Sequence, residues 1–305
     1  MSLIRFIMRG MGLSPAAILL AVVIGLFSYV YETLFARPGM AYMGVPQAID
    51  WKQALTWTHI IRNQAFMLGY SELRGNPLWV TYHLTPPQTD SPHWPRPHRF
   101  TQDWRSLTRI DHEDYQNSGY DRGHLAPNHA ISVVYGREAQ LETFLMTNIS
   151  PQKPELNQKL WERLEEVELD RLARNFESVW VTTGPLFDSQ VERLKSAYRV
   201  EIPDAFYKIY AIPNSDSNKT RLLAFMMPQT VHGNEPLDQY LTTVDEIERQ
   251  TGLDFFADME DSVENRLENS VDIQGWQMET WARLKGRYSN KKQTLTRTKK
   301  TEPRH

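Results

Sequence analysis

The stretch YDRGHLAPN (residues 120–128) decides how the rest of this 305-residue chain is interpreted. Further along, the chain reads TNISPQ (residues 147–152) and then LNQ (residues 156–158), followed by Trp161 and Glu165. A histidine, an arginine, asparagines and a glutamate therefore fall at fixed intervals between two apolar segments. Such an ordered set is far more specific than any one of its short motifs.

The residue types in this set suit one kind of chemistry. A histidine can take a proton from water near neutral pH. An arginine presents a planar fork of donors that matches a phosphate group. A neutral amide oxygen can hold a hard cation such as Mg²⁺, which keeps most of its coordination for water and substrate phosphate. Together these residues indicate a metal-dependent phosphodiesterase.

The order of the motifs resembles that of the DNA/RNA non-specific endonucleases. These proteins carry DRGH, then Ser/Thr-Asn-x-x-Pro-Gln, then Leu-Asn-Gln-x-x-Trp with a glutamate shortly after the tryptophan. The similarity extends from near Ile60 to Phe256, and further segments in the family order are residues 181–186, 202–208, 225–228 and 252–256. The resemblance implies an α+β fold with a mixed, mainly antiparallel sheet that contains a ββα-metal (His-Me finger) motif.

The resemblance also implies roles for individual residues. His124 is the general base that activates water for in-line attack on phosphorus, and Arg122 contacts a phosphate oxygen or the developing charge. Asn157 is the protein ligand of Mg²⁺, and Glu165 holds a water bound to that ion. Asn148 positions His124 or the substrate. Plainer roles stay open, namely a helix cap for Asn157 and a solvated surface acid for Glu165.

Two arginines are expected to bind substrate. Arg122 is the first, and its alternative is an ion pair with Asp121. Arg74 is the second, because it precedes Trp79 much as a family arginine precedes the tryptophan of a strand, although it lies one residue further away. Mg²⁺ is the expected metal, and Mn²⁺ is expected to substitute for it. Hydrolysis would leave 5′-phosphate products, and the lack of an element that reads a groove predicts little base specificity.

The composition is that of an ordinary globular protein, with 41% hydrophobic and 23% charged residues. The absence of cysteine excludes disulfides and thiolate metal sites without fixing the compartment. The net charge is −3, but residues 284–305 carry eight Lys and Arg against one acid, which leaves −10 on the rest of the chain. An acidic body is not typical of a protein that coats DNA, so positive charge for substrate binding must be local to a cleft.

The N-terminal segment predicts a membrane anchor. Residues 1–10 are basic through Arg5 and Arg9, and residues 10–31 carry no charge. That apolar run reaches the ~20 residues that cross a bilayer and exceeds the ~7–15 residues of a signal-peptide core. We therefore predict an uncleaved single-pass helix over residues 11–35. The positive-inside bias places the domain that follows on the non-cytoplasmic side, periplasmic or extracellular; a cleaved signal peptide and a mitochondrial location are the alternatives.

The rest of the chain is predicted to fall into three parts. Residues 36–57 form a linker, because their Gly and Pro interrupt both helix and strand. Residues 58–259 form the endonuclease domain. Residues 260–305 form a helical extension, packed through Trp276 and Trp281, with a basic tail.

Hydrophobic patterning predicts the main elements. The expected strands are residues 66–70, 76–84, 179–183, 198–202, 205–211 and 222–227. Residues 136–146 have helical spacing and are predicted to be the helix that follows the ββ hairpin, and residues 156–176 form a long amphipathic helix. The Pro-rich residues 85–99 are predicted to be a plain surface loop. Thr243, followed by Glu246, predicts a capped helix start.

Two other functions remain open at this point. One is a nuclease that is restricted to one type of nucleic acid. The other is a membrane-tethered protein that binds nucleic acid during uptake without cutting it, which predicts loss of His124 or Asn157; neither residue is lost. The expected partners are DNA or RNA, the membrane through the N-terminal helix, and a second copy of the chain in a homodimer.

Overall fold

The computed structural model describes residues 14–88, 92, 94–215 and 219–286. The chain forms two compact units, Met1–Gly39 and Met40–His305. In the first unit, helix α1 (Pro15–Tyr31) begins after Ser14, whose hydroxyl accepts a hydrogen bond from the Ala17 amide at 3.2 Å. Serine at this position satisfies one of the free amides of a helix start.

Helix α1 continues through a π-helical turn at Glu32–Ala36. The helical span Pro15–Met40 is 26 residues long and apolar enough to cross a membrane, and its large apolar side chains are exposed. A signal sequence meets the same criteria of length and composition, so the anchor over residues 11–35 stays a prediction. The basic segment 1–10 lies outside the described residues.

The second unit combines short strands with short helices. The strands are β1 (Gln47–Ala48), β2 (His59–Arg62), β3 (Phe66–Ser71), β4 (Asn76–Leu84), β5 (Asp121–His124), β6 (Ile149–Gln152), β7 (Val179–Leu186), β8 (Ala205–Ile212), β9 (Arg221–Pro228), β10 (Leu241–Thr242) and β11 (Leu253–Asp254). The helices are α2 (Asn128–Tyr135), α3 (Arg137–Thr143), α4 (residues 156–176, with π-helical turns at Leu156–Trp161 and Glu168–Ala173), α5 (Val244–Thr251), α6 (Asp261–Glu268) and α7 (Met278–Trp281). As predicted, the Thr243 hydroxyl caps α5 by accepting from the Glu246 amide at 3.2 Å.

Seven strands form one antiparallel sheet in the order β10-β9-β8-β7-β4-β3-β2. This confirms the predicted α+β class with a mainly antiparallel sheet. Strands β1 and β11 make a separate antiparallel pair, in which Gln47 lies opposite Asp254. In the middle of the large sheet β4 pairs with β7, and Leu84 lies opposite Val179. The chain between these two residues leaves the sheet and returns to it at the same place.

Each face of the sheet carries its own hydrophobic core, because successive side chains of a strand point to opposite faces. On β8, Phe206 and Tyr210 belong to the first core, while Tyr207 and Ile209 belong to the second. Side chains of α4 and of the β5–β6 region complete the first core. Side chains of α5 and α6 complete the second.

The β5–β6 hairpin and helix α4 form the expected ββα motif. The two strands are antiparallel, with Asp121 opposite Gln152 and His124 opposite Ile149. Helices α2 and α3 lie between the strands in sequence, so the prediction that residues 136–146 follow the hairpin is wrong. The helix that follows it is α4. Helical spacing identifies a helix, but it does not say on which side of a strand pairing the helix falls.

A buried polar network fixes α4 to the sheet. Glu168 of α4 and Lys208 of β8 form an ion pair in which both side chains are fully buried. Glu168 also accepts hydrogen bonds from the hydroxyls of Tyr82 at 2.7 Å and Tyr210 at 3.1 Å, and the Lys208 ammonium lies 4.7 Å from the Trp161 ring centre. Buried charges are tolerated when they are paired and hydrogen-bonded, and here they set the position of the helix that carries two predicted site residues.

Two predicted segments differ from the structure. Residues 36–57 are not a plain linker, because this segment includes β1, and Ala41 is buried in the second core. Residues 198–202 make only an isolated bridge, from Glu201 to Arg193. The Glu201 carboxylate pairs with the Arg74 guanidinium, so this segment is held by side chains rather than by a strand ladder.

The C-terminal extension packs on the domain as far as it is described. Trp276 and Trp281 are each 1% exposed and lie in the first core, as predicted. Val263 of α6 lies in the second core. The extension therefore contributes to both faces of the sheet, through two short helices in place of one. The basic tail from residue 287 lies outside the described residues.

Candidate active site

His124 ends β5 and is only 7% exposed. Its ring lies against those of Phe100 and Phe144, with ring centres 5.2 and 4.9 Å away. Its Nε2 is buried and has no hydrogen-bond partner among the described residues. Burial, and after it the charge of Arg96, lowers the pKa of His124 to about 3. The imidazole is therefore neutral at physiological pH.

Asn148 braces the turn that follows His124. Its fully buried side chain accepts a hydrogen bond from the Ala126 amide at 2.9 Å and donates to the carbonyls of Ala126 and Thr143, each at 3.0 Å. Its own carbonyl accepts from the Leu125 amide at 3.1 Å. Both side-chain donors and the acceptor are thus used inside the protein. Of the two predicted roles, these contacts favour positioning His124 over reaching a substrate.

Asn157 lies in the first turns of α4, next to the start of β5. Its Nδ2 donates to Oδ2 of Asp121 at 2.9 Å, and the same carboxylate oxygen accepts from Nε2 of Gln158 at 2.7 Å. The helix cap is Glu155, so the alternative role of Asn157 as the cap is wrong. Because Nδ2 is engaged, the half-buried amide keeps its oxygen for a ligand. Hard cations prefer oxygen ligands, so this donor fits Mg²⁺.

Arg122 directs its guanidinium to the backbone. Its Nε and Nη2 both donate to the carbonyl of His112, at 3.0 Å for Nε, and its guanidinium carbon lies 5.8 Å from the Tyr115 ring centre. Burial lowers the pKa of Arg122, although an arginine stays charged in proteins. Among the described residues Arg122 makes no ion pair with Asp121, so the alternative role is not observed. A cation is held two residues before His124.

Glu165 is a partly exposed residue of α4. Burial raises the pKa of its carboxyl to about 8. Nearby charges modify this shift in both directions, and they belong to Lys208, Glu168, Glu162 and Arg96. A carboxyl with this pKa is mostly protonated at neutral pH and can donate a hydrogen bond to a water or accept one from it. Its predicted role in holding a water stays a prediction.

Arg96 is a residue that the sequence analysis missed. It is exposed in the loop that was predicted to have no site, and its guanidinium carbon lies 5.3 Å from the Phe144 ring centre. Its charge acts on both His124 and Glu165. Arg96 therefore brings positive charge near both residues. The spacing of a Pro-rich loop contains no periodicity that could have singled it out.

Gln152 is a second residue without a predicted role. It is fully buried, and neither Nε2 nor Oε1 has a hydrogen-bond partner among the described residues. It packs over Gly123, where an added Cβ would lie 2.1 Å from Oε1. Gln152 therefore keeps a buried donor and a buried acceptor on β6, opposite Asp121 of β5. The sequence did contain a reason to select Gln152, because it is the last residue of the TNISPQ motif.

Arg74 is engaged in a structural ion pair. Its Nη1 pairs with Glu201, its Nε donates to the Leu55 carbonyl at 3.2 Å, and its guanidinium carbon lies 4.2 Å from the Phe187 ring centre. The side chain is 11% exposed. The contacts observed hold distant parts of the chain together, and the predicted contact with substrate stays a prediction.

Comparison with known proteins places this geometry in context. The model of the DNA/RNA non-specific endonuclease family matches residues 52–262. Human mitochondrial endonuclease G is 31% identical over 204 residues, which cover 63% of this chain and 67% of that protein. A nuclease from Serratia marcescens is 32% identical over 207 residues, which cover 64% and 74%. A chain in the crystal structure of the EndoG/EndoGI complex superposes with a TM-score of 0.57 at 26% identity, covering 67% of this chain and 88% of that one.

The family match includes the whole ββα motif and every site residue described above. The agreement therefore extends from the order of the motifs to the fold. It shows that the protein is an endonuclease. The chain belongs to the DNA/RNA non-specific endonuclease family.

Proposed function

We propose that this protein hydrolyses phosphodiester bonds of DNA or RNA with little base specificity, using His124 as general base and one hydrated Mg²⁺ held by Asn157. The observation that carries this proposal is the environment of His124. Its neutral ring is packed between two phenylalanines, two residues along β5 from the Arg122 cation. A neutral histidine can take a proton from water, and the negative charge of a bound phosphate would raise its pKa from the low value that burial imposes.

The metal is assigned to Asn157 because of the orientation of its amide. The hydrogen bond from Nδ2 to Asp121 leaves the amide oxygen as the ligand atom. A single neutral ligand suits a cation that keeps most of its waters, as Mg²⁺ does, and Mn²⁺ would substitute for it. When bound, the ion would stabilise negative charge on the phosphate and on the leaving oxygen. Asp121, which orients the ligand, would raise the affinity of the site.

The protein's own residues account for the transfer of the proton. Because Nε2 of His124 is buried, Nδ1 is the ring atom left to accept the proton of the attacking water. The water oxygen bonds to phosphorus, the bond from phosphorus to the 3′ oxygen breaks, and that oxygen leaves with a proton from solvent. The products are a 5′-phosphate and a 3′-hydroxyl. Asn148 keeps the turn after His124 in place throughout.

Substrate binding is assigned to positive charge around this histidine. Arg122 is held at the site by a backbone carbonyl, and exposed Arg96 is close enough to act on both His124 and Glu165. Contacts to the sugar–phosphate backbone position a nucleic acid without reading its sequence. A local cluster of this kind also explains how a chain with a net charge of −3 binds a polyanion.

We also propose that α1 anchors the enzyme, with its catalytic domain on the non-cytoplasmic side. Support comes from the length and apolar character of the span and from Arg5 and Arg9 before it. Relatives such as human and yeast proteins are named mitochondrial, so an organelle space is the alternative location. The homodimer stays a prediction.

The test of the catalytic proposal uses the full-length protein in mild detergent. Plasmid DNA and RNA are incubated with it in Mg²⁺ or in EDTA. Cleavage is expected only with Mg²⁺, and His124→Ala should lower kcat by about 10²–10⁴-fold while nucleic-acid binding is retained. His232→Ala is the matched control, because His232 is exposed and outside the ββα motif. Full activity in EDTA, or near-normal cleavage by His124→Ala, would refute the mechanism.

A further inference from the structure

A second group of oxygen ligands lies far from the ββα motif in the fold. Asp245 and Glu248 share one face of α5, and Glu268 lies in the last turn of α6. One carboxylate oxygen from each of these three residues, which we call the α5–α6 carboxylates, lies within 4.8 Å of the other two. Helices α5 and α6 cover the second core, whereas His124 lies beside the first. The two groups are therefore on opposite faces of the large sheet.

The position of Glu268 is the unusual feature of this group. Its side chain is only 4% exposed, and its Oε1 is buried without a hydrogen-bond partner among the described residues. A buried carboxylate oxygen that lacks a donor loses its hydration without compensation, which is strongly unfavourable. The Glu268 carboxylate also has an oxygen within 4.8 Å of carboxylate oxygens of Asp245 and Glu248. Something must therefore supply positive charge or a proton at this point.

The charges around Glu268 do not supply it. The charges with the largest effect on its carboxyl are all acidic, namely those of Glu248, Glu264, Asp245 and Asp254. Glu264, which is one turn before Glu268 on α6, also has a buried oxygen without a partner in the described part of the chain. Burial, reinforced by these acids, raises the pKa of Glu268 to about 9 and that of Glu248 to about 7. Such an arrangement is stable only if the repulsion is neutralised.

We propose that the α5–α6 carboxylates bind a Ca²⁺ ion that fastens helix α6 to helix α5. The ligand atoms are all carboxylate oxygens, which hard divalent cations prefer to soft or borderline metals. Three carboxylates converging from two helices favour Ca²⁺ over Mg²⁺, because Ca²⁺ accepts 6–8 oxygens in irregular geometry, while Mg²⁺ keeps its waters and takes one or two carboxylates. The second oxygens of the same side chains, and water, would complete the shell.

One of the three ligands is already held in place. Oε1 of Glu248 accepts a hydrogen bond from the Phe255 amide at 2.8 Å, which fixes the side chain and leaves Oε2 for the ion. Asp245 is exposed, so the ion would reach the site from solvent on the side of this residue. Glu268 forms the buried floor. Since the family match ends at residue 262, the ion would connect the family domain to the helix that begins the C-terminal extension.

Shared protons are the competing explanation, and they predict a different pH dependence. A carboxyl whose folded pKa is raised contributes stability that is present at low pH and is lost as pH rises through that pKa. Protons alone would therefore make the protein less stable from pH 6 to pH 9, whether Ca²⁺ is present or not. Ca²⁺ binding predicts stabilisation that grows over the same range, because the ion competes with those protons.

The experiment measures the unfolding temperature of the full-length protein in detergent by tryptophan fluorescence. Mg²⁺ is kept at a constant millimolar level, and Ca²⁺ is added at pH 6, 7 and 8. The wild type should gain roughly 5 °C when Ca²⁺ reaches one hundred times its Kd, and equilibrium dialysis should detect one Ca²⁺ per chain. Glu268→Gln should lose both effects and unfold at a higher temperature than the wild type in EDTA, because it removes repulsion without changing side-chain volume.

Three further variants make the result decisive. Glu248→Gln should also lose the rise in unfolding temperature that Ca²⁺ causes. This variant replaces Glu268→Gln in the test if Glu268→Gln does not fold. Glu279→Gln, which removes an exposed acid of α7, and Asn157→Ala, which alters the proposed Mg²⁺ ligand, should keep it. The proposal is overturned if the wild type shows no Ca²⁺ shift at pH 8. It is equally overturned if the shift persists in both Gln variants or disappears in Asn157→Ala.

Discussion

Asn157 donates its side-chain amide to Asp121 at 2.9 Å, and this joins the helix of the ββα motif to the first residue of its hairpin. The aspartate is the second residue of YDRGHLAPN, and the asparagine is the second of LNQ. One hydrogen bond thus connects the two motifs that define the site. It also determines which atom of the amide faces outward.

The first prediction concerns this bond. Asp121→Ala should raise the Mg²⁺ concentration needed for half-maximal cleavage by about 10–100-fold, because loss of a residue that orients a metal ligand weakens metal binding by that factor. The maximal rate at saturating Mg²⁺ should fall much less. Titration of plasmid cleavage with Mg²⁺ measures both quantities. Asp188→Asn, at an exposed aspartate outside the motif, is the control, and an unchanged Mg²⁺ requirement in Asp121→Ala would contradict the role of Asp121.

The second prediction concerns pH and His124. Its folded pKa of about 3 lies below the unfolded value of about 6.5. The unfolded chain therefore takes up a proton that the folded protein refuses, and stability is lost as pH falls through 6.5. Between pH 7 and pH 5 this costs about 2 kcal/mol. Urea unfolding at both pH values should show that the wild type loses about 2 kcal/mol more than His124→Ala, while His232→Ala behaves like the wild type. Equal losses in all three proteins would show that His124 is not held neutral.

The third prediction concerns the buried pair of Glu168 and Lys208. Lys208→Met should destabilise the protein by roughly 3–5 kcal/mol, because it leaves a buried carboxylate without its partner. The double variant Glu168→Gln/Lys208→Met should recover a large part of the loss. Urea unfolding at pH 7 measures both. A double variant that is as unstable as the sum of its single changes would argue against a coupled pair.

The fourth prediction concerns Arg96. Arg96→Ala should raise KM for DNA and should lower the salt dependence of binding by about one unit of slope, as expected when one phosphate contact is lost. The kcat should change much less than in His124→Ala. Arg249→Ala, at an exposed arginine of α5 on the other face of the sheet, is the control. If both variants change KM to the same extent, then Arg96 acts only through the net charge.

The fifth prediction concerns topology. In a bacterial host, protease added to spheroplasts should digest the catalytic domain while cytoplasmic markers survive, because in the proposed topology Arg5 and Arg9 stay on the cytoplasmic side. Replacing both arginines by glutamate should reduce this orientation. A domain that resists protease until the inner membrane is broken would place it in the cytoplasm.

The sequence was sufficient for the parts of the fold that depend on local pattern. The β4 strand, residues 76–84, matches its prediction at both ends, and the Thr243 cap lies where its hydroxyl and Glu246 indicated. The prediction that residues 136–146 follow the hairpin was wrong, because β5 pairs with β6 although two helices lie between them in sequence. Local periodicity contains no information about such long-range pairing.

The residues of the candidate site also divide into those that local sequence identifies and those that depend on long-range contacts. His124, Arg122 and Asn157 could be identified because their motifs have fixed order and spacing. Arg96 could not, since its closeness to His124 arises from a loop that folds back over the Phe144 ring. Glu268 looked like one more acid in an acidic stretch, and only its burial separates it from its neighbours.

The pairing of Leu84 with Val179 also affects when this enzyme can fold during its synthesis. During synthesis the strands up to β4 emerge first, but the sheet cannot close until the whole intervening segment has been made and β7 has arrived. Contacts across such a separation form slowly, because a long loop must be closed before they can stabilise it. His124 and Asn157 lie inside that segment. If His124 and Asn157 form the active site, as proposed, a nascent chain cannot cleave nucleic acid before β7, Val179–Leu186, has been made and has paired with β4.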